Sequence, residues 1–278
     1  MNYPALEKYL VRLNAAVTEQ SRVWLDAEGR AQGNYFNTTL TSAFQPIRVF
    51  GRSDQADARI VAQEGFARSY SLQDSGLHLW RLLDQAASDD ESVELDRLCR
   101  MLHAINFYRQ VSEEVSLHLS VHARLLAAVD SNHGIAFRRI LNLLELPHEK
   151  ILLQMPVVTQ NQSWLLNYVL DNYRRNGFKL GASASDARDA LALLGKVRPD
   201  MIKVDARELN DVASTQELLR RAAAEGVLIV FKRVENAPVF EQLSALAQAL
   251  GTPLHAQGYL WDTPSAQLHT NTADIKVA

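Results

Sequence analysis

The hydrophobic residues of the chain recur with two different periods, that of an α-helix and that of a β-strand. Residues 6–17 carry apolar side chains on one side of a predicted helix. Residues 22–26 and 31–36 flank a turn and predict a short hairpin, and two further strands are predicted at 46–50 and 59–66. The first quarter of the chain is therefore expected to contain one helix followed by antiparallel strands.

Strands and helices then alternate along the rest of the chain. Two helices are predicted first, at residues 77–87 and 92–110. Strands are predicted at 115–121, 150–157, 178–182, 201–205, 227–231 and 254–257, and helices between them at 136–146, 164–175, 187–194, 215–225 and 239–250. Repeated strand–helix units are typical of a parallel sheet with right-handed crossovers. Their number favours a closed (β/α) barrel in the α/β class, with an open doubly wound sheet as the alternative.

Charge and cysteine content exclude several classes of protein. The 278 residues include 29 Lys plus Arg and 32 Asp plus Glu, a net charge of -3, so there is no basic field for a nucleic acid polymer. Cys99 is the one cysteine, which excludes an internal disulfide and a CxxC metal site, and we expect it to be buried. The sequence shows no secretion signal and no apolar run long enough for membrane insertion, so we expect a cytoplasmic protein.

Polar residues occur where several predicted strands end. His118, Gln154, Lys203, Lys232 and Gln257 lie within or directly after otherwise apolar strands. Because the carboxyl ends of barrel strands meet at one face, these side chains are expected to line a single pocket mouth. Each has a simpler explanation, since a polar residue at a strand end is often only solvated. For His118 we predict a hydrogen-bonded histidine in the core.

Short motifs in a fixed order carry a resemblance to a known family. They are Phe44-Gln45-Pro46-Ile47, Glu64 to Arg68, Leu117-His118-Leu119-Ser120, Ile202-Lys203-Val204-Asp205, Val234-Glu235, Leu250-Gly251 and Gln257-Gly258-Tyr259 with Pro264. In this order and spacing the chain resembles the EAL domain family, bacterial phosphodiesterases that linearise cyclic di-GMP. The resemblance implies a modified (β/α)8 TIM-type barrel whose first strand is antiparallel. It divides the chain into an N-terminal helix and hairpin extension at 1–40, the barrel at 41–266 and a C-terminal tail at 267–278. Separately, the polar composition from Asp262 to Ala278 predicts a loosely held segment.

The resemblance also identifies which residues should carry chemistry. The family binds two divalent cations through carboxylate and amide oxygens, and these activate water for attack on a phosphodiester. Glu64 retains the first ligand, and Lys203 and Glu235 remain as vestigial catalytic residues. The other metal positions are degenerate: they hold His118, Gln154, Ala182, Ser183 and Lys232. The resemblance therefore implies no bound metal, no cofactor and no phosphodiesterase activity.

Two functions remain open on this basis. The first is a non-enzymatic regulatory module that binds a protein partner in bacterial signalling of the motility, adhesion or biofilm type, with a homodimer left open. The alternative is a cyclic di-GMP receptor that binds without hydrolysis, contacting the nucleotide through Gln45, Arg68 and Gln257. We further expect Lys232 to lie at the barrel mouth and to form an internal ion pair with Glu64.

Overall fold

The computed structural model describes residues 2–15, 22–35, 38–51, 58–71, 74–75, 89–112, 114–121, 133–155 and 163–271. The helices are α1 Pro4–Ala15, α2 Asp89–Tyr108, α3 His133–Leu143, α4 Ser163–Arg175, α5 Ala187–Leu194, α6 Val212–Glu225 and α7 Ala237–Leu250. The strands are β1 Val23–Leu25, β2 Ala31–Tyr35, β3 Thr38–Phe50, β4 Arg59–Ser71, β5 Asp74–Ser75, β6 Ser116–Ser120, β7 Ile151–Gln154, β8 Lys179–Ala184, β9 Met201–Asp205, β10 Leu228–Lys232 and β11 Leu254–Gln257. The helix predicted at 77–87 lies outside the described residues.

Eight of the strands close into a barrel. Strands β4, β6, β7, β8, β9, β10 and β11 are parallel neighbours in that order, and β3 pairs antiparallel with both β11 and β4 to close the ring. The prediction of a modified (β/α)8 barrel with an antiparallel first strand is confirmed. The carboxyl ends of seven strands consequently face one end of the molecule, where the polar strand-end residues lie.

Alternation along each strand separates an outer core from an inner one. Leu117 and Leu119 belong to the large apolar cluster that includes residues of the surrounding helices. The barrel interior has its own small cluster, consisting of Ile47, Ala62, Leu152, Met201 and Val230. Because successive side chains of a strand point to opposite faces, the polar residues two positions further along the parallel strands share the interior. The apolar cluster is thus the floor beneath a polar layer.

Local capping signals explain where several helices begin and end. The side chains of Asp186, Asp211 and Asn236 accept hydrogen bonds from backbone N–H groups in the first turns of α5, α6 and α7. Gly226 and Gly251 end α6 and α7 with φ of 72° and 64°, a conformation that glycine adopts without steric cost. These signals are the reason that the predicted helix bounds in this half of the chain are accurate to within a few residues.

The N-terminal elements extend the sheet and cover one side of the barrel. Strands β1 and β2 form the predicted hairpin, and β2 pairs antiparallel with the first residues of β3. The backbone N–H of Ala31 donates to Asn106 Oδ1 on α2 at 2.7 Å, which fixes the hairpin against the barrel. Strand β3 begins at Thr38 rather than at residue 46, because residues 38–45 pair with β4 on one side and in part with β2 on the other.

The segment that follows β11 is held firmly as far as Asn271, so the expectation of a loose C-terminal segment is wrong there. Phe44 and Ser265 exchange two backbone hydrogen bonds. The guanidinium of Arg48 binds the Asp262 carboxylate at 2.7 and 3.0 Å, and Asn271 Oδ1 accepts from the backbone N–H of Ile60. A part-buried, doubly hydrogen-bonded ion pair thus holds this segment, in addition to the packing of Leu260, Trp261 and Leu268 against the core. Separately, within the described ranges no helix has the length and apolar character to cross a bilayer.

Candidate functional site

The polar layer of the barrel is centred on a lysine and a glutamate. Lys203 Nζ on β9 lies 2.7 Å from Glu64 Oε2 on β4, and the two side chains are 3% and 9% exposed. The same Nζ donates to Gln257 Oε1 on β11 at 3.1 Å, and Ser120 Oγ lies 3.5 Å from Glu64 Oε1. The structure therefore brings together Glu64, Lys203 and Gln257, which the sequence had singled out for separate roles.

His118 is a core histidine, as predicted. It is buried, and its Nε2 lies 3.1 Å from Ser116 Oγ. Burial, reinforced by the nearby charge of Lys203, holds the pKa of His118 well below its ordinary value. The ring is therefore neutral at physiological pH. In the described part of the chain its Nδ1 has no hydrogen-bond partner.

Gln154 and Ser183, two of the positions that the resemblance assigns to degenerate metal ligands, interact directly. Gln154 Nε2 donates to Ser183 Oγ at 3.0 Å, and no described atom donates to Gln154 Oε1. A Cβ on Gly181 would lie 2.4 Å from that Oε1, so glycine leaves the room that the amide occupies. Ala182 is buried, and the alternation of β8 places it on the face opposite to Ser183.

Lys232 does not pair with Glu64, so that prediction is wrong. In the register of the sheet Lys232 is level with Asp205, while Lys203 is level with Val230, two residues further from the rim. Lys203 therefore reaches the Glu64 carboxylate, and Lys232 stays half-buried at the mouth. Burial lowers the pKa of Lys232, and the neighbouring charge of Arg233 adds to the effect.

The second acidic residue of the mouth, Asp205, is also neutralised by cations. Arg207 Nη2 and Arg233 Nη1 each lie 2.9 Å from Asp205 Oδ2. Burial alone would raise the pKa of Asp205, but hydrogen bonds from Arg207 and the charges of both arginines lower it. In the sequence Asp205 stands out only as the last residue of the motif Ile202-Lys203-Val204-Asp205. Arg207 lies two residues after the end of β9 and Arg233 directly after the end of β10, and this position near the strand ends is the signal that could have found them.

The remaining candidate residues lie at different depths. Gln45 is buried and donates through Nε2 to the backbone carbonyl of Asp262 at 2.8 Å. Arg68 is exposed and donates through Nη2 to the carbonyl of Pro264 at 2.8 Å. Glu235 is exposed in the loop between β10 and α7. Gln45 and Arg68 thus both donate to backbone carbonyls of the segment after β11, and this long-range contact has no local signal in the sequence.

This donor set does not fit a pair of divalent cations. Hard cations bind where several carboxylate, carbonyl or water oxygens converge on one point. Over the residues that the structure describes, no group of three or more His, Cys, Asp or Glu side chains could hold a metal ion. Glu64 is paired with Lys203, and Asp205 with two arginines. Lys232 adds a further cation that would repel a metal.

Comparison with known proteins gives one family and several related structures. The model of the EAL domain family matches residues 30–264. A comparison with curated protein sequences gave no match. Three solved structures share the fold: Klebsiella pneumoniae BlrP1 in a manganese and cyclic di-GMP complex, a standalone versatile EAL protein from Vibrio cholerae O395 with c-di-GMP bound, and the Xanthomonas citri FimX EAL domain in complex with c-di-GMP.

The similarity to these structures lies in the fold, with low sequence identity. The TM-scores are 0.65, 0.64 and 0.63, and the identities are 20%, 17% and 16%. The aligned part covers 82%, 85% and 84% of this chain. It covers 57% of the Klebsiella protein, 97% of the Vibrio protein and 91% of the Xanthomonas domain. This chain therefore spans a little over half the length of the Klebsiella relative.

Proposed function

Because the chain belongs to the EAL domain family, we propose that it is a catalytically inactive EAL-like domain acting in bacterial cyclic di-GMP signalling. Its role is that of a non-enzymatic module that binds a protein partner and so regulates a circuit of the motility, adhesion or biofilm type. In this proposal Glu64, Lys203 and Glu235 are vestigial catalytic residues. Residues 1–40 serve as an extension to the barrel at 41–266.

The ion pair between Glu64 and Lys203 carries the proposal. Glu64 is the one family ligand that this chain retains, and its carboxylate is 2.7 Å from a buried ammonium. A carboxylate in that state is not available to a metal unless the lysine moves away, which would leave a buried charge unpaired. The neighbouring positions supply an imidazole, an amide and a hydroxyl instead of anions. The site thus has neither the charge nor the ligand number for two divalent cations.

A direct assay tests the loss of activity. The full chain is incubated with cyclic di-GMP and either Mg²⁺ or Mn²⁺, and linear dinucleotide is quantified by chromatography. We expect no metal-dependent product above the level given by the Glu64→Gln variant. Product that requires metal and disappears in Glu64→Gln would overturn the proposal.

The interaction role is tested by capture of a partner. The full chain is cross-linked in bacterial cells, and captured proteins are ranked against an unrelated barrel of the same size expressed at the same level. We expect a specific protein that also binds the purified chain in a titration. If no captured protein binds in that titration, the interaction role fails.

A second candidate function is a receptor that binds cyclic di-GMP without cleaving it. It is supported by the cationic side chains Lys203, Lys232 and Arg68, which are buried, half-buried and exposed respectively. Within the described chain, His118 Nδ1, Gln154 Oε1 and Gln257 Nε2 are buried without hydrogen-bond partners and could be satisfied by a ligand. The related structures named above are complexes with this nucleotide.

Calorimetry with cyclic di-GMP separates the two functions. A receptor should bind with an affinity that falls for Arg68→Ala and with added salt, because a guanidinium contact to phosphate is charge-assisted. Arg220→Ala, which removes an exposed arginine of α6, is the matched control. The interaction role, in contrast, predicts no binding at physiological nucleotide concentrations.

A further inference from the structure

We propose that the groove between α1, α2 and α3 is a docking site for an acidic amphipathic helix of a protein partner. This inference rests on the proposed interaction role and names the surface that performs it. The groove has a volume of about 430 Å³. Its apolar lining comprises Ala5 and Tyr9 of α1, Met101 of α2, and Ile140, Leu143 and Leu144 in and just after α3.

One residue of this lining is unusually exposed for its type. Leu143 is 79% exposed at the end of α3, where it borders the groove. A single exposed leucine needs no explanation, but a leucine at the rim of an apolar cavity enlarges the apolar surface that water must cover. Burying such a side chain is favourable, so a partner that covers it gains directly in affinity.

The charged lining of the groove is entirely positive. Lys8 and Arg12 lie one turn apart on α1, both line the groove and both are exposed. Among the residues that the structure describes, neither forms an ion pair, and the groove lining includes no Asp or Glu. An apolar strip beside two free cations is complementary to apolar side chains flanked by carboxylates.

The shape of the groove favours a helix over a small ligand. Its lining on α1 is Ala5, Lys8, Tyr9 and Arg12, a stripe with helical spacing. This stripe spans two turns, about 10 Å, and matches two turns of a partner helix with anchors at i, i+3 or i+4, and i+7. Small-molecule sites enclose most of the ligand surface. Here the rim residue Leu143 lies largely in solvent, outside the space that a small ligand in the groove would fill. A macromolecule that lies across the opening would cover this leucine as well.

A second copy of this chain is a poorer occupant than an acidic helix. In a two-fold dimer the same patch faces itself. Lys8 and Arg12 of one copy would then approach the same residues of the other, and like charges across an interface oppose association.

The test uses the full chain and two labelled helical peptides of about 18 residues, long enough to form a helix. Both carry leucines at i, i+3 or i+4, and i+7; one is flanked by glutamates and the other by lysines. Fluorescence anisotropy should show binding of the acidic peptide at least about tenfold tighter than that of the basic one. The Lys8→Glu/Arg12→Glu variant should reverse this preference, and Leu143→Asp should weaken both peptides.

Two matched control variants change a positive charge and an exposed apolar side chain elsewhere on the surface. Lys196→Glu alters an exposed lysine next to α5, and Val212→Asp alters an exposed apolar residue of α6. Both should bind the acidic peptide as the unaltered chain does. Equal binding of the two peptides, or equal losses in the control variants, would overturn the proposal. A dimer that Leu143→Asp dissociates would overturn it in favour of a second copy.

A failure of this proposal can be told apart from a failure of the interaction role. If a validated partner binds the Leu143→Asp and Lys8→Glu/Arg12→Glu chains as tightly as the unaltered one, the groove is not the docking site and the interaction role stands. If the chain has no validated partner at all, the interaction role itself fails and the groove proposal fails with it.

Discussion

Lys203 Nζ lies 2.7 Å from Glu64 Oε2 and 3.1 Å from Gln257 Oε1, so one ammonium joins three strands across the interior of the barrel. Both charged side chains are almost fully buried. A buried ion pair contributes little net stability, because desolvation of the two charges offsets their attraction. Removing only one partner should destabilise the protein, since the remaining charge stays buried and uncompensated.

A double-mutant cycle measures the coupling of this pair. Glu64→Gln and Lys203→Met should each lower the free energy of unfolding by about 3–5 kcal/mol, the usual result of breaking a buried pair. The double variant should lose much less than the sum of the two, because it leaves no unpaired charge. Urea denaturation followed by circular dichroism gives all three values.

The same cycle with Lys232 is the control. Lys232 is half-buried, level with Asp205, and forms no described ion pair with Glu64. Lys232→Met and Glu64→Gln should therefore combine additively to within about 0.5 kcal/mol. Stronger coupling of Glu64 to Lys232 than to Lys203 would contradict the observed arrangement.

The attachment of the segment after β11 to the barrel should depend on the Asp262 carboxylate. Asp262→Asn removes the charge that holds Arg48 at 2.7 and 3.0 Å, and should destabilise the protein by about 1.5–3 kcal/mol. Asp171→Asn, in an exposed pair with Arg174, should change stability by less than about 1 kcal/mol. Thermal unfolding of the two variants, measured side by side, checks this expectation. Equal decreases in their unfolding temperatures would contradict it.

Stability should fall as the pH drops below about 6.5. Burial lowers the pKa of His103 to about 3 and that of His255 to about 4, and holds the pKa of His118 well below its ordinary value. Unfolded histidine takes up a proton near pH 6.5, so below that pH the unfolded chain binds more protons than the folded one. For His103 alone the loss by pH 5 is about 2 kcal/mol.

The measurement is the free energy of unfolding between pH 7.5 and about pH 5, under conditions in which unfolding is reversible. The His255→Gln variant should show a shallower fall over this range, because one of the titrating groups is gone. A profile that stays flat down to pH 5, or a variant with the same slope as the unaltered chain, would contradict the assignment of buried neutral histidines.

Much of the barrel could be predicted because its strands and helices each carry their own local signal. Apolar runs mark β7, β9 and β10, and the caps Asp186, Asp211 and Asn236 mark the starts of α5 to α7. The early part of β3 was missed because residues 38–45 are extended by pairing on two sides rather than by an apolar pattern of their own. Pairing between strands leaves little trace in the hydrophobic pattern of a single sequence.

In the candidate site, too, the residue types could be predicted from the sequence, whereas the contacts between strands could not. Residue types at strand ends predict that Lys203, Lys232 and Gln257 gather at one end of the barrel, and the family resemblance adds Glu64 to them. The identity of the Glu64 partner depends on the register between β9 and β10, which sets Lys203 deeper than Lys232. A shift of two residues decides which lysine reaches the carboxylate. Such a shift keeps every side chain on the same face of the sheet, so the hydrophobic pattern does not distinguish the two registers.

The last prediction is that Lys232→Glu alone does not produce metal-dependent hydrolysis of cyclic di-GMP. The new carboxylate would stand level with Asp205, beside Arg233, and would be neutralised there in the way Asp205 already is. Lys203 would still occupy the Glu64 carboxylate, and Ala182 and Ser183 would still supply no anion. Calorimetry should detect no added affinity for Mn²⁺ compared with Lys232→Gln, which removes the cation without adding an anion. Linear dinucleotide that forms with Mn²⁺ in Lys232→Glu but not in Lys232→Gln would show that one ligand suffices, and that the site is one substitution away from activity.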